Sequence, residues 1–389
     1  MREFSYLDVG CDVLYRPFNT LSHGEQTKAL LAALFLNEGH FLLIDEPTNH
    51  LDRQARQLLS EYLCKKKGFI LVSHDRYFLD GCIDHVLSLN KTSIEVQSGN
   101  FSSFMTNFEQ QQEFERKQNS RLKTDIIRLQ ESARRTSEWA DDVEASKIGA
   151  ADKGYVGHMS AKMMKRAKVV ESRQQKEIEM KSALLKNTET ESKLKIMPLV
   201  YRAERLAAFS GVTPIYDGRK VCPPVTFEIK RGERIALEGK NGSGKSSLLK
   251  LLLGQPIEYA GTVNVGSNLI ISYVPQDTSN LHGTLTNFAR EHSIDESLFK
   301  AILNKMGFNK LQFDKDISAF SDGQKKKTLI AKSLCEQVHL YVWDEPLNYI
   351  DIYSRIQIEN LLTEFQPTMI FVEHDKTFCD NIATNTVKI

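Results

Sequence analysis

The chain has 389 residues, of which 41% are apolar, and its formal net charge is only +1. Because a single hydrophobic core rarely serves more than about 250–300 residues, this length predicts two or three domains. The near-zero charge excludes a protein that is basic overall. Any contact with nucleic acid therefore has to come from a locally basic segment.

The six cysteines show neither a CxxC spacing nor a Cys/His cluster with metal-ligand spacing, which favours reduced thiols. No apolar run approaches the roughly 18 residues that a membrane span needs, and the first residues are unlike a signal peptide. We therefore expect a cytoplasmic protein with no membrane domain in this chain.

The first informative segment precedes an amphipathic helix and contains Ser22, Gly24 and Glu25. Serine and glycine at a helix start either cap the helix or offer backbone N–H groups to an anion, and the pattern leaves both roles open. Next, the apolar run 41–44 ends in an Asp-Glu pair. It predicts a strand buried on both faces, as in a parallel sheet, with carboxylates at the edge that binds ligands.

From about Ser102 to Lys195 charged residues and glutamine dominate, and glycines occur only near the middle of the segment. Helix formers on both sides predict a helical hairpin with arms over about 104–146 and 160–195. An arm of roughly 40 residues would be about 60 Å long at 1.5 Å per residue.

The tip of this hairpin is basic: between Lys147 and Lys176 there are eight cationic and two anionic side chains. Tyrosine, histidine and methionine lie among them. Phosphate contacts with stacking side chains are typical of RNA binding, although a protein partner or a solvated coil fits the same composition. The candidate tip residues are Lys153, Tyr155, His158, Lys162, Lys165 and Arg166.

A phosphate-binding loop is predicted at Gly239–Ser246, which fits G-x-x-x-x-G-K-S, follows a strand-like run and opens an amphipathic helix. Its backbone N–H groups are expected to wrap phosphates, with Lys245 reaching the β- and γ-phosphates and the Ser246 hydroxyl ligating Mg²⁺. The residues expected to contact the nucleotide here are Gly239, Asn241, Gly242, Ser243, Gly244, Lys245, Ser246 and Ser247.

Downstream, the apolar run 340–343 ends in Asp344 and Glu345. Asp344 is placed to hold Mg²⁺, and Glu345 to orient or deprotonate an attacking water. His374 follows another strand-like run and is a candidate contact of the γ-phosphate. Gln276 lies between the phosphate loop and the Asp-Glu pair, and its amide is a candidate ligand of Mg²⁺ or of the attacking water.

The two ends of the chain are copies of one unit, because eight residues recur at a single offset of 299 (321 − 22). They are Ser22, Gly24, Lys28, Asp45, Glu46, Pro47, Asn49 and Asp52, matched by Ser321, Gly323, Lys327, Asp344, Glu345, Pro346, Asn348 and Asp351. His74 and His374 continue the match with the offset one larger.

Lys245 precedes Ser321 by 76 residues (321 − 245), and this spacing would put the phosphate loop of the first copy before Met1. We therefore expect a truncated form of a longer protein, with at most one complete nucleotide site. The second site would be incomplete and would comprise Asp45, Glu46, His74, Ser321 and Gly323.

Together these motifs resemble the ATP-binding-cassette ATPases, whose signature is usually written Leu-Ser-Gly-Gly-Glu/Gln. Here His23 and Asp322 replace the first glycine, whereas Gly24 and Gly323, expected to approach a γ-phosphate, are kept. An acidic Asp322 would oppose a bound phosphate.

The run 45–52, Asp-Glu-Pro-Thr-Asn-His-Leu-Asp, and the two cassettes with a charged helical linker resemble the F subfamily (ABC-F). The runs 321–327 and 343–351 resemble its antibiotic-resistance members of the Lsa and Vga kind. The resemblance implies an α/β fold with two P-loop NTPase domains joined by a long α-helical hairpin. We expect a partial first cassette over 1–100, the hairpin over 101–198 and a complete second cassette over 199–389.

The resemblance also implies ATP sites between the halves, each pairing the phosphate loop of one half with the signature of the other. Ser22, Gly24 and Glu25 would face the phosphate loop of the second half, and Tyr216 would stack on adenine. The implied cofactors are ATP and Mg²⁺, and the implied activity is ATP hydrolysis.

Members of this subfamily bind the ribosome, with the linker tip near tRNA and rRNA between the exit site and the peptidyl-transferase centre. The resistance members relieve inhibition by lincosamides, pleuromutilins and streptogramin A. The alternatives are a transporter ATPase subunit, a housekeeping translation factor of the subfamily and an inactive fragment. A DNA partner is not expected, because the 76 residues between Lys245 and Ser321 leave no room for the coiled coil of a DNA-repair ATPase.

Overall fold

The computed structural model describes residues 2–36, 39–49, 51–89, 94–145, scattered positions between 165 and 180, and 198–389. The chain divides into two compact units. Unit 1 comprises Met1–Phe101 and Lys193–Ile389, and unit 2 comprises Ser102–Ser192. The two repeated halves of the sequence therefore pack within one unit.

The first half combines short strands with four α-helices among its described residues. Its strands are β1 (Leu42–Asp45), β2 (Phe69–Val72), β3 (His85–Leu89) and β4 (Ile94–Ser98). Its α-helices are Arg2–Tyr6, His23–Leu36, Arg53–Cys64 and Arg76–Cys82, and its 3-10 turns are Cys11–Tyr15 and Phe18–Thr20. β1 and β2 are parallel, and β3 and β4 form an antiparallel pair.

The second half is larger and contains two sheets. Its strands are β5 (Arg205–Tyr216), β6 (Arg219–Lys220), β7 (Val225–Lys230), β8 (Arg234–Glu238), β9 (Glu258–Val265), β10 (Ile271–Val274), β11 (Leu340–Asp344), β12 (Met369–Val372) and β13 (Asn385–Lys388). Its helices are Lys245–Leu252, Leu285–Glu291, Glu296–Lys305, Lys310–Phe313, Asp322–Cys335, Ile352–Phe365 and Lys376–Ile382, with a 3-10 turn at Ile317–Ala319.

The main sheet of the second half has the order β10-β11-β12-β8-β13, and all four pairings are parallel. In a parallel sheet all strands end at the same edge, so the segments that follow them meet there. Asp344 pairs with Val372, and Val372 pairs with Leu237, two residues before Gly239. The sheet therefore brings the Asp-Glu pair to the phosphate loop. The other sheet is antiparallel and has β5 at its centre, beside β7 and β9.

Strand β11 is buried on both faces, as its uninterrupted apolar sequence predicts. Tyr341 and Trp343 pack into the core on one side of the sheet, with the helices of residues 285–365. Leu340 and Val342 pack into the core on the other side, which includes Leu249 of the helix that follows the phosphate loop. Two separate cores thus fix this strand.

The corresponding prediction for the first half is wrong in one respect. Only alternate residues of β1 are buried: Ile44 is 5% exposed, whereas Leu43 is 70% exposed. Ile44 packs with Leu59 and Phe78 of the neighbouring helices. On the other side of β1, the described residues provide no counterpart of the core that buries Val342, the repeat equivalent of Leu43.

Aspartates at equivalent positions of the two halves start the helices that follow the strands. Asp52 accepts a hydrogen bond from the Ala55 N–H, and Asp351 accepts one from the Ser354 N–H. Such caps satisfy N–H groups that have no partner within the helix, and an aspartate also suits the positive end of the helix dipole.

The helix Phe101–Ala145 belongs to unit 2 from Ser102 onward, and its bounds agree with the predicted first arm. At 1.5 Å per residue its 45 residues span about 68 Å. The described positions between 165 and 180 are helical, as expected for the second arm. Among the described residues, the structure contains no helix whose length and apolar character suit a membrane span.

The contrast between the halves can be tested with two identical substitutions. Leu340→Ala removes a fully buried side chain from β11, and we expect it to lower the free energy of unfolding by about 2–5 kcal/mol. Leu43→Ala removes an exposed side chain and should change it by less than about 0.5 kcal/mol. Urea unfolding of both variants provides the measurement, and equal losses would show that the outer face of β1 is covered in solution.

Candidate nucleotide site between the two halves

The phosphate loop connects β8 to the helix Lys245–Leu252. Gly242 and Gly244 have φ of 79° and 90°, in the left-handed region that glycine adopts without strain. Gly239 has a different requirement: a Cβ at this position would lie 2.9 Å from the Ile389 carbonyl oxygen. These glycines give the loop the curvature that lets its N–H groups converge on a phosphate.

Lys245 is only 6% exposed, and its Nζ donates hydrogen bonds of 2.9 Å to the carbonyl oxygens of Gly239 and Lys240. Burial lowers the pKa of this amine, while the carboxylates of Glu345 and Asp52 oppose that effect. The lysine is therefore held against its own loop with negative charge nearby. A phosphate bound in the loop would come within reach of this amine.

The Ser246 hydroxyl donates a hydrogen bond of 3.1 Å to Oδ1 of Asp344, which is 2% exposed. Burial raises the pKa of Asp344, although the Ser246 hydroxyl counteracts this shift. A hydroxyl and a carboxylate are hard oxygen ligands of the kind that Mg²⁺ takes together with phosphate oxygens and water. No described group of three His, Cys, Asp or Glu side chains could hold a metal ion.

Glu345 lies at the centre of the hydrogen-bonded groups. Its Oε2 accepts a bond of 2.8 Å from Gln276 Nε2 and one of 2.7 Å from Asn348 Nδ2, and its Oε1 is 3.7 Å from His374 Nε2. Burial alone would raise the pKa of Glu345, but His374 and Asn348 outweigh burial and lower it. The buried His374 Nε2 has no hydrogen-bond partner in the structure. The Glu345 carboxylate is therefore ionised and held in position. The His374 Nε2 atom beside it is available for a contact with a ligand.

These side chains line a cavity of about 330 Å³ to which both halves contribute. Leu51 and Arg56 come from the first half. The lining residues from the second half are Tyr216, Val221, Asn241, Gly242, Gly244, Lys245, Ser246, Ser247, Gln276, Glu345, Asn348 and His374. At its rim, the Tyr216 hydroxyl is 3.2 Å from the Ser247 hydroxyl, and the tyrosine is 44% exposed. The ring is thus available to a planar ligand.

A neighbouring cavity of about 410 Å³ brings the first signature segment to the phosphate loop. Ser22, Gly24 and Glu25 line it together with Asn241 of that loop. Ser243, also predicted for this site, has a buried hydroxyl with no hydrogen-bond partner in the structure. The geometry therefore gathers the residues predicted for the complete site, from both halves.

Both signature segments also cap their helices. The Ser22 hydroxyl accepts from the Glu25 N–H at 3.3 Å, and Glu25 accepts from the Ser22 N–H at 2.8 Å. Ser321 and Gln324 form the same reciprocal pair. Packing also requires glycine at position 323, because a Cβ there would lie 2.3 Å from the Tyr349 carbonyl oxygen. The capping role left open by the sequence is therefore present in both segments.

The predicted incomplete site contains Glu46 and His74, the repeat equivalents of Glu345 and His374. Glu46 Oε1 lies 3.5 Å from His74 Nε2 and has no hydrogen-bond partner. Burial raises the pKa of Glu46 to about 7, with Arg355 of the second half opposing the shift. Burial lowers the pKa of His74, and the charge of Arg355 adds to this effect. The charge of Arg355 in the second half thus acts on both side chains of this site.

The remaining predicted residues have less structural support. Asp45 ends β1 in the position that Asp344 has in β11. Lys165 is helical and exposed. The other linker-tip residues, Lys153, Tyr155, His158, Lys162 and Arg166, lie outside the described residues.

Four residues of the cavity were missed by sequence reasoning: Leu51, Arg56, Val221 and Asn348. Asn348 recurs as Asn49 in the first half, so the internal repeat already marked it. Arg56 likewise recurs as Arg355 at the same offset (355 − 56 = 299). Nothing in the sequence shows that Leu51 and Arg56 contribute to a cavity of the opposite half.

The family model of the ABC transporter ATPase matches residues 222–348. The ribosome protection protein VmlR of Bacillus subtilis is 30% identical over 389 residues, covering 96% of this chain and 69% of VmlR. The ATP-binding protein Uup of Caulobacter vibrioides is 31% identical over 379 residues, covering 95% of the chain and 59% of Uup. The energy-dependent translational throttle protein EttA of Haemophilus influenzae is 26% identical over 375 residues, covering 94% of this chain and 63% of EttA.

Among solved structures, the archaeal ribosome recycling factor aABCE1, in complex with ribosomal stalk protein aP1, has the same fold. The TM-score is 0.63 at 19% identity, over 100% of this chain and 65% of that one. The fold and the site thus define an ATP-binding cassette ATPase. Within that class, the chain belongs to the ABC-F family, which confirms the subfamily predicted from the sequence.

The phosphate loop provides the first test of the site. We expect Lys245→Ala to reduce the affinity for a fluorescent ATP analogue about 100-fold or more, because charge-assisted contacts to phosphate are lost. Titration should give at most one nucleotide per wild-type chain, since the sequence holds one phosphate loop. Undiminished binding by the variant, or two nucleotides per chain, would contradict this assignment.

The two glutamates provide a matched pair. Glu345→Gln should retain ATP binding but slow hydrolysis about 100-fold or more, because the amide keeps the shape and loses the base. Glu46→Gln should change the rate less than about twofold, since the described part of its site has no phosphate loop. Steady-state ATPase assays measure both rates, and similar losses in the two variants would refute the difference between the sites.

Proposed function

We propose that this chain binds and hydrolyses ATP with Mg²⁺ at a composite site between its halves and couples this reaction to ribosome binding. The main support for the ATP site is the pair of adjoining cavities. In them, Asn241 of the phosphate loop lies with the signature residues Ser22 and Gly24 of the opposite half. Such a site is complete only when the halves are closed on each other, so nucleotide binding and closure are linked.

In this proposal each side chain has one role. Lys245 and the loop N–H groups bind the β- and γ-phosphates, and Tyr216 stacks on adenine. Ser246, Asp344 and the amide oxygen of Gln276 would hold Mg²⁺, whose positive charge would offset the negative charge of the phosphates. A separate group of residues handles the water: Glu345 takes its proton, and His374 Nε2 contacts the γ-phosphate.

The ribosome is proposed as the partner because VmlR is named as a ribosome protection protein and EttA as a translational throttle. The chain spans 57–69% of the length of VmlR, Uup and the putative ATP-binding protein YdiF. Because each relative is longer, its activity is assigned to this chain only as a proposal. The local excess of six positive charges at the predicted hairpin tip suits rRNA and tRNA phosphates.

The finer proposal is ribosomal protection against drugs of the peptidyl-transferase region, of the lincosamide, pleuromutilin or streptogramin A type. The similarity to VmlR favours this role over a housekeeping one. The proposed domains are residues 1–100 and 199–389 for the cassettes and 101–198 for the hairpin. The cytoplasm, where ribosomes translate, is the proposed location.

Ribosome binding can be tested by co-sedimentation of the Glu345→Gln variant with ribosomes. We expect retention with ATP that is at least about tenfold stronger than without nucleotide, because unhydrolysed ATP holds the halves closed. Retention should fall steeply with salt as phosphate contacts are lost. The Lys245→Ala variant is the control that should not respond to ATP. Salt-insensitive or absent binding would overturn the proposed partner.

A further inference from the structure

A lysine lies buried behind the catalytic groups without contacting the nucleotide cavity. Lys326 belongs to the helix Asp322–Cys335 and is only 2% exposed. Its Nζ donates hydrogen bonds to the carbonyl oxygens of Pro275 at 2.7 Å, Gln276 at 3.3 Å and Asp344 at 3.3 Å. One ammonium group therefore joins three elements: its own helix, the loop that carries Gln276 and the end of β11.

The burial of this amine has an energetic cost that the surroundings offset. An ammonium group is rarely placed in a protein interior unless each of its three protons finds an acceptor. Here three main-chain carbonyls accept them, and the carboxylates of Glu373 and Asp344 are close enough to act on the charge. Burial still lowers the pKa of Lys326 to about 8. The three carbonyls and the nearby carboxylates thus accommodate a buried ammonium group.

The two halves differ at this position of the helix. The repeat equivalent is Thr27 (326 − 299), whose hydroxyl donates to the His23 carbonyl of its own helix. Thr27 therefore makes a local bond where Lys326 bridges to neighbouring elements. The bridging amine therefore belongs to the half that carries the phosphate loop, where the Gln276 loop provides two of its acceptors.

We propose that Lys326 is a positioning residue that fixes the Gln276 loop and the end of β11 to the second signature helix. This inference rests on the proposed ATPase function and assigns it a further residue. The Gln276 side chain donates to Glu345, so displacement of the Pro275–Gln276 carbonyls would withdraw that donor from the carboxylate. Loss of the amine would also leave buried carbonyls without partners, which drives such a displacement.

The position of the lysine has a second consequence. Its helix begins at Ser321–Gly323, the signature predicted for the other composite site, whereas Gln276, Asp344 and Glu345 belong to the complete site. A rigid link between them makes the signature helix and the catalytic loop move together. Lys326 therefore transmits movement of one composite site to the hydrolytic groups of the other.

The test compares Lys326→Met, which keeps the length and removes the donor, with Lys325→Met at the neighbouring, partly exposed position. We expect Lys326→Met to lower kcat for ATP about tenfold or more while KM changes less than about twofold, since small misplacements cost rate rather than binding. Lys325→Met should leave both parameters unchanged. Unaltered kcat in Lys326→Met, or an equal loss in both variants, would overturn the proposal.

A double-mutant cycle with Gln276→Ala separates positioning from general destabilisation. If Lys326 acts through Gln276, adding Lys326→Met to Gln276→Ala should lower kcat less than about twofold further. Independent, multiplicative losses would overturn the proposed route. Lys326→Gln, which retains a donor, serves if the methionine variant does not fold, and it should recover part of the rate.

Hydrogen exchange gives a readout that needs no ATPase activity. Amides of the segment 276–279 should exchange about tenfold faster in Lys326→Met than in Lys325→Met, because the loop loses its anchor. Unchanged exchange would overturn the inference even in an active enzyme. A wild-type chain that hydrolyses no ATP would refute the proposed function instead, and the exchange comparison would still decide the role of Lys326.

Discussion

The burial of β11 on both faces is the constraint on which the site depends. Tyr341 and Trp343 are fixed in one core, and Leu340 and Val342 in the other. Because both faces are packed, the strand cannot shift without opening two cores, each at a cost of several kcal/mol. The carboxyl end of β11 therefore has a fixed position relative to β8, two strands away in the sheet.

That fixed end explains how two acidic residues in sequence acquire different roles. Asp344 is the last residue of the strand, points toward Ser246 and is 2% exposed. Glu345 has a φ of 45°, a left-handed conformation that is uncommon for a side chain of this kind. Its N–H still donates to the Val372 carbonyl at 3.0 Å, so the turn is held by the neighbouring strand. The turn directs the second carboxylate toward Gln276, Asn348 and His374.

Buried arginines at equivalent positions of the repeat stabilise each half. Arg56 donates to Asp75 at 2.8 Å and to the Leu51 carbonyl at 3.0 Å, and Arg355 donates to Asp375 at 3.0 Å. Removing one partner of such a buried pair typically costs about 3–5 kcal/mol, because a charge is left uncompensated. Arg56 also lines the nucleotide cavity of the second half. Each arginine thus combines support of its own half with positive charge presented to the other.

The parts of the site that local geometry determines could be predicted from the sequence. The phosphate loop, the strand ends at Asp344 and Asp45 and the helix starts at the two signatures all follow from short-range rules on glycine, apolar runs and caps. Long-range contributions could not be predicted in this way. Arg56 reaches the cavity only through packing of the two halves. Lys326 departs from the repeat, so self-similarity gave no signal for it.

The exposed face of β1 is another feature that local sequence patterns could not predict. An apolar run indicates that a strand suits burial, but the covering layer comes from residues distant in sequence. Val342 is covered by the core that includes Leu249, whereas the equivalent Leu43 is 70% exposed. Identical local patterns therefore gave one correct and one incorrect prediction of burial.

A comparison of the two glutamates shows how their surroundings differ. Glu46 and Glu345 share the preceding aspartate, a φ of 45° and a histidine Nε2 within 3.5–3.7 Å. They differ in their hydrogen-bond donors, because two amides donate to Glu345, whereas Glu46 Oε1 has no partner. Burial raises the pKa of Glu46 to about 7, whereas His374 and Asn348 outweigh burial and keep the pKa of Glu345 below its usual value. Glu345 is therefore held as the carboxylate, and its hydrogen-bond donors fix its orientation. The two sites thus differ in the groups around the glutamate, and only Glu345 lines the cavity that contains Lys245 of the phosphate loop.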